Sequence, residues 1–145
     1  MRNLEFLQKF RPDVNTIKEF EHWIVCIRAK QVTIGAAIIA LKRQCPSIGE
    51  MTEEEAIEYP KVIKWYEELC KDKFGAVRFN YMAVMMKDCI VHYHAFPRYD
   101  KEIELFDLTW KDFDWPYVVN IRVGDPYDQE ILAKVIKYMQ DEKQG

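Results

Sequence analysis

The run Ile90-Val91-His92-Tyr93-His94-Ala95-Phe96 sets two histidines two residues apart inside an otherwise apolar stretch. Such a run suits a buried strand, in which successive side chains point to opposite faces. His92 and His94 therefore share one face, so the fold has to seat two imidazoles side by side. The stretch ends in Pro97-Arg98-Tyr99, which carries a cation close to the same strand.

The strand needs partners, and the chain supplies them. Residues 78–86 form a second extended candidate, and Asp88 marks a turn before residues 90–96, so the two most simply make an antiparallel hairpin. Upstream, residues 23–27 and 35–41 read as two further buried strands joined through Lys30-Gln31-Val32-Thr33-Ile34-Gly35. Thr16 with Glu19 has the spacing of a capping box for a short helix ending near Phe20, and Thr52 with Glu55 repeats it before a longer helix. That longer helix places Val62, Ile63, Tyr66, Leu69 and Cys70 on one side. Pro60 should bend it or split off its first turn, and Phe74-Gly75 should end it. Residues 105–117, with Phe106, Trp110, Phe113 and Trp115 among acids, read as a packed loop that either shelters a ring or covers the sheet edge. Asp125-Pro126 reads as the cap and first turn of a last helix over about 126–142, with Ile131, Leu132, Val135, Ile136 and Met139 as its core stripe. Paired strands separated by helices give an α+β fold, an antiparallel sheet with helices packed on it.

Composition bounds the function classes. The 145 residues suit one domain, 1–145, and are too few for two. A formal net charge of −3 with no basic stripe argues against a nucleic-acid polymer as partner. The longest apolar stretch, residues 34–41, is far below membrane-spanning length. The opening Met1-Arg2-Asn3-Leu4-Glu5 has an acid where a signal peptide needs an apolar core, so a cytoplasmic location is expected. Cys26, Cys45, Cys70 and Cys89 are irregularly spaced and read as free, buried thiols of a reducing compartment. Met82, Met85 and Met86 read as core.

By spacing alone the histidine pair fits three roles: core residues with satisfied ring nitrogens, two ligands of a metal, or a nucleophile with a neighbour. A zinc site needs about two more ligands. Cys89 has the wrong parity along the strand and His22 is remote, so no metal is expected. An imidazole with an ordinary pKa of about 6.5 is largely neutral and nucleophilic near neutral pH, and a second one can donate to developing phosphate charge.

Taken together, Asn80-Tyr81-Met82-Ala83-Val84-Met85-Met86, Asp88 and Val91-His92-Tyr93-His94-Ala95-Phe96-Pro97-Arg98-Tyr99 resemble the histidine triad (HIT) superfamily. The bacterial branch related to diadenosine polyphosphate hydrolases is the nearest match. Gln31-Val32-Thr33-Ile34-Gly35 and Leu41-Lys42-Arg43 resemble it too, so the likeness runs over residues 23–99. The resemblance implies a nucleotide or dinucleoside polyphosphate as substrate and His92 as the nucleophile that forms a nucleotidyl-histidine intermediate. It implies His94 as the third triad histidine on the phosphate oxygens, with Asn80, Gln31 and Thr33 on the substrate side. It also implies a homodimer and no cofactor. Ile90 stands where the first triad histidine belongs, and an isoleucine side chain neither donates nor accepts a hydrogen bond. The upstream family histidine is also absent: the sequence there is Arg28-Ala29-Lys30-Gln31, leaving Lys30 or Gln31 as its substitute.

Overall fold

A computed structural model describes residues 8–86, 89–122 and 124–141. In chain order the elements are α1 (Pro12–Asn15), β1 (Thr16–Glu19), β2 (Trp23–Ile27) and β3 (Ala37–Leu41). A 3-10 turn (Ile48–Glu50) and α2 (Glu53–Phe74) follow, then β4 (Arg78–Met82), β5 (His92–Arg98), β6 (Ile103–Leu105), β7 (Leu108–Trp110) and α3 (Gln129–Gln140). Five strands form one antiparallel sheet in the order β1-β2-β3-β5-β4, and β6 and β7 form a separate hairpin. This is the α+β arrangement expected from the sequence, including the β4–β5 pairing. Asp88, where a turn is expected, lies outside the described residues.

The register sorts the sheet into two faces. Ala40 lies opposite His92 and Ile38 opposite His94, while Asn80 lies opposite Phe96. Directly opposed residues of antiparallel strands point the same way, so these share the histidine face. The other face carries Trp23, Val25, Ile39 and Tyr93 and is covered by α2. Trp23 donates its indole N–H to the Glu55 carbonyl at 2.9 Å. The Tyr59 ring sits 4.9 Å from that of Trp23 and 4.8 Å from that of Tyr93. Both faces of β5 are thus buried, consistent with its apolar sequence.

α2 begins where its sequence says it should. Thr52 Oγ1 accepts from the Glu55 N–H at 3.2 Å and Glu55 Oε1 accepts from the Thr52 N–H at 2.8 Å, a complete capping box. Arg43 adds a two-point contact to the Glu55 carboxylate at 3.0 and 2.8 Å, which holds that carboxyl down at about 2. The helix ends at Gly75, whose φ of 75° is left-handed backbone that glycine adopts without strain. Pro60 lies within the helix without interrupting it; Pro60 and Ala56 are both exposed, so the carbonyl left without a helical donor faces solvent.

Further expectations need correction. Thr16 to Glu19 is a strand, not a helix. Pro12 starts a four-residue helix that is already over at Asn15, and the Thr16 hydroxyl donates back to the Pro12 carbonyl at 2.5 Å instead of capping forward. The aromatic segment holds a hairpin, turned by Phe106 and Asp107, both at φ 59°, between Leu105 and its partner Leu108. The last helix starts at Gln129, because the Asp128 carboxylate caps the Ile131 N–H at 3.0 Å; Asp125 and Pro126 lie ahead of it. Its stripe of Leu132, Val135, Ile136 and Met139 is buried as expected, with Ile131 only partly covered. Finally, all four cysteines are free, but Cys89 is exposed, as is Met86 at 84%.

Candidate active site

His92 and His94 are both buried, 2% and 8% exposed, with ring centroids 5.3 Å apart. Phe10, from the helical residues 8–10 ahead of α1, lies against both rings at 6.0 and 6.3 Å. His92 Nδ1 stands 2.7 Å from the Ile90 carbonyl oxygen. A carbonyl only accepts, so the proton of the neutral ring sits on Nδ1 and the lone pair on Nε2. His94 differs. Burial, then the charges of Arg28, His92 and Lys9, push its pKa down to about 3, so it is neutral at physiological pH. Among the described residues its Nδ1 is buried without a hydrogen-bond partner.

The structure brings these two histidines together and places Asn80 on the same face, one register step beyond His94 along β5. Asn80 Oδ1 accepts from Arg98 Nη1 at 2.6 Å, and its Nδ2 donates to the Phe79 carbonyl at 3.1 Å. Arg98 is held in turn by Asp112, at 2.7 and 3.0 Å. Both side chains of this ion pair are almost fully buried, and Asp112 also accepts from the Tyr99 N–H.

Gln31 and Thr33 occupy the loop joining β2 to β3. The Gln31 amide donates to the carbonyls of Arg28 and Ala36, both at 2.7 Å, and accepts from the Gly35 N–H at 2.8 Å. Its polar atoms are thus committed to shaping the loop. Thr33 Oγ1 is buried with no partner among the described residues. The loop is braced from both sides: Tyr66 donates to the Gly35 carbonyl at 2.6 Å and Tyr99 to the Ile34 carbonyl at 2.5 Å. At Gly35, with φ 89°, an added Cβ would meet the Phe74 ring at 3.0 Å, so a side chain there is excluded twice over.

A cavity of about 560 Å³ opens over the histidines. Besides His92 and His94 its walls include Lys9, Arg28, Lys30 and Arg122, with Phe10, Val84, Met86 and Ile121 as apolar lining. Among the described residues no carboxylate lines it. The size and the mix of apolar wall with a few polar groups suit a small-molecule ligand. Arg28 was not singled out from the sequence, although its parity with Cys26 at the end of β2 puts it on the histidine face. Lys9, Phe10 and Arg122 lie far from the motif in sequence and carry no local signal. Among the described residues no three His, Cys, Asp or Glu side chains are grouped as metal ligands would be. No helix is long and apolar enough to cross a membrane, again among those residues.

No family model matches this sequence, and no curated protein matches it. Solved structures do. A histidine triad protein from Marinobacter aquaeolei VT8 superposes with a TM-score of 0.72 at 19% identity, over 92% of this chain and 90% of that one. A histidine triad (HIT) protein from Sinorhizobium meliloti 1021 gives 0.71 at 14% identity, over 96% and 93%. The NitFhit protein of C. elegans gives 0.65 at 16% identity over 87% of this chain, which spans only 26% of that longer protein. With its antiparallel sheet, its helix-covered back and its two histidines on the open face, the chain has the fold of the histidine triad proteins.

Proposed function

We propose that this chain is a nucleotide hydrolase or transferase of the histidine triad type, acting on a nucleotide or dinucleoside polyphosphate with His92 as nucleophile. The observation that carries the reading is the bond from His92 Nδ1 to the Ile90 carbonyl, which puts the nucleophilic lone pair on Nε2 at a cation-lined cavity. In the first step Nε2 forms a bond to the α-phosphorus while the bond to the leaving-group oxygen breaks, and the leaving group departs with that electron pair. Water then attacks the same phosphorus and releases a proton to solvent, the P–N bond breaks with its electron pair returning to Nε2, and the nucleoside monophosphate leaves with the ring restored to neutral. His94, neutral at pH 7, serves as the phosphate partner through a neutral N–H, without an imidazolium charge. Asn80 offers the second N–H of its amide, its orientation fixed by Arg98. Gln31 and Thr33 contribute by setting the course of the β2–β3 loop.

Loss of the first triad histidine is less damaging than the side chain suggests, because the contact that sets the His92 tautomer comes from the backbone of residue 90. Ile90 nevertheless favours a second reading, a nucleotide-binding protein with little turnover. Ile90→His separates them: turnover rises if the missing imidazole limits the rate, and a folded, nucleotide-binding variant with no gain contradicts that. The primary test is turnover of adenylated phosphoanhydrides. His92→Asn abolishes it under the proposal, and retained turnover overturns the proposal. A homodimer in a reducing cytoplasm completes the reading. It is supported by β4 standing at the sheet edge and by four free thiols, and sedimentation at a single-copy mass would contradict the dimer.

A further inference from the structure

We propose that Arg28 is the anion-binding residue of this cavity, gripping the oxygens of the phosphoryl group presented to His92. The inference deepens the function proposed above and rests on that reading for the identity of the phosphoryl group alone. Arg28 follows β2 directly and shares the histidine face. Its guanidinium lies 5.0 Å from the centre of the Phe96 ring, and Phe96 is two residues beyond His94 on β5. Ala36 bonds its carbonyl to the Arg28 N–H between the two strands, and its small side chain leaves room for this approach.

The position is built, not incidental. Gln31 holds the Arg28 carbonyl at 2.7 Å, and the same amide ties down Ala36 and Gly35, so the loop that presents the guanidinium is fixed from within. Among the described residues no carboxylate is paired with the guanidinium and none lines the cavity, and its one polar contact is a long 3.5 Å approach to the Lys30 carbonyl. Desolvation acts alone on it and lowers its pKa to about 10, still well above physiological pH, so the charge stays. A half-buried cation with five donors and no carboxylate partner among the described residues is an unfavourable arrangement unless a ligand completes it. His94 is neutral and Ile90 inert, so the fixed charge that a phosphoryl group needs has to come from elsewhere; of the cavity's cations, Arg28 is the one held on the histidine sheet face by the loop, and it alone beside His94 offers a fork matched to two phosphate oxygens, where Lys9 offers a single ammonium.

The test uses Arg28→Met and Arg28→Lys in the full chain, with inorganic tripolyphosphate as probe and ATP as second probe in the His92→Asn background. Arg28→Met is expected to weaken both by roughly tenfold or more, and Arg28→Lys, which keeps the charge but not the fork, by less. The melting temperature of Arg28→Met is expected to stay the same or rise, since an unpaired, partly desolvated charge has been removed. Unchanged affinity in Arg28→Met, no binding of tripolyphosphate to the unmodified protein, or a fall in melting temperature overturns the inference; the last would mark Arg28 as structural. Arg28-dependent binding without any turnover would sink the hydrolase reading and leave this one standing. Turnover that Arg28→Met leaves intact would do the reverse.

Discussion

His92 and His94 are the same residue two positions apart, yet the fold treats them differently. One is oriented by the carbonyl of Ile90. The other is desolvated until its pKa falls to about 3. An unfolded histidine titrates near 6.5, so between those values the unfolded chain takes up a proton that folded His94 refuses. The sign follows: stability is at its full value above about pH 6.5 and is lost as pH falls toward 3. Urea unfolding at about pH 7 and about pH 5 should show this loss, and His94→Asn should lessen it; an equal loss in the variant contradicts the assignment. The shared face of the pair was legible from parity alone. Their unequal protonation was not, because it depends on Arg28 and Phe10, brought in from other parts of the chain. Gln31 and Thr33 show the same limit: their place in the β2–β3 loop could be read, but not that the Gln31 amide would be consumed inside it.

At the scale of elements, one sequence signature had two outcomes. Thr-x-x-Glu caps a helix at Thr52 and does not at Thr16. Downstream of Thr52 lies a long amphipathic stretch to propagate the helix, whereas the residues after Thr16 pair with β2, whose partner β3 is already buried. Tertiary pairing decided, which no local window reveals. Thr52→Ala should cost about 1 kcal/mol of stability in urea unfolding. Thr16→Val should leave the β1–β2 pairing in place and lose only the bond from its hydroxyl to the Pro12 carbonyl, about 1 kcal/mol in the same measurement. The buried Arg98–Asp112 pair ties the end of β5 to the segment after β7, and no local spacing in the sequence links the two residues. Asp112→Ala leaves Arg98 buried without its carboxylate, and a destabilisation of about 3–5 kcal/mol is expected. It should also free the Asn80 amide, so nucleotide affinity should fall in whatever fraction stays folded.

Across the whole molecule the division of labour is by sheet face. α2 seals one face with Trp23, Tyr59, Tyr66 and Tyr93, and the opposite face keeps a cation-lined cavity over the histidines. Sequence periodicity captured the sealed face well, since burial leaves an apolar pattern. It captured the open face only where a motif marked it. Lys9, Phe10 and Arg122 join the cavity from the two ends of the chain, with no spacing to betray them. The chemistry of the open face turns on what happens at His92. Intact-protein and peptide mass spectrometry after brief incubation with an adenylated phosphoanhydride, quenched without acid, measures it directly. The predicted result is one nucleotidyl group on His92, absent from His92→Asn; an adduct that persists in His92→Asn, or turnover with no dependence on His92, would contradict it.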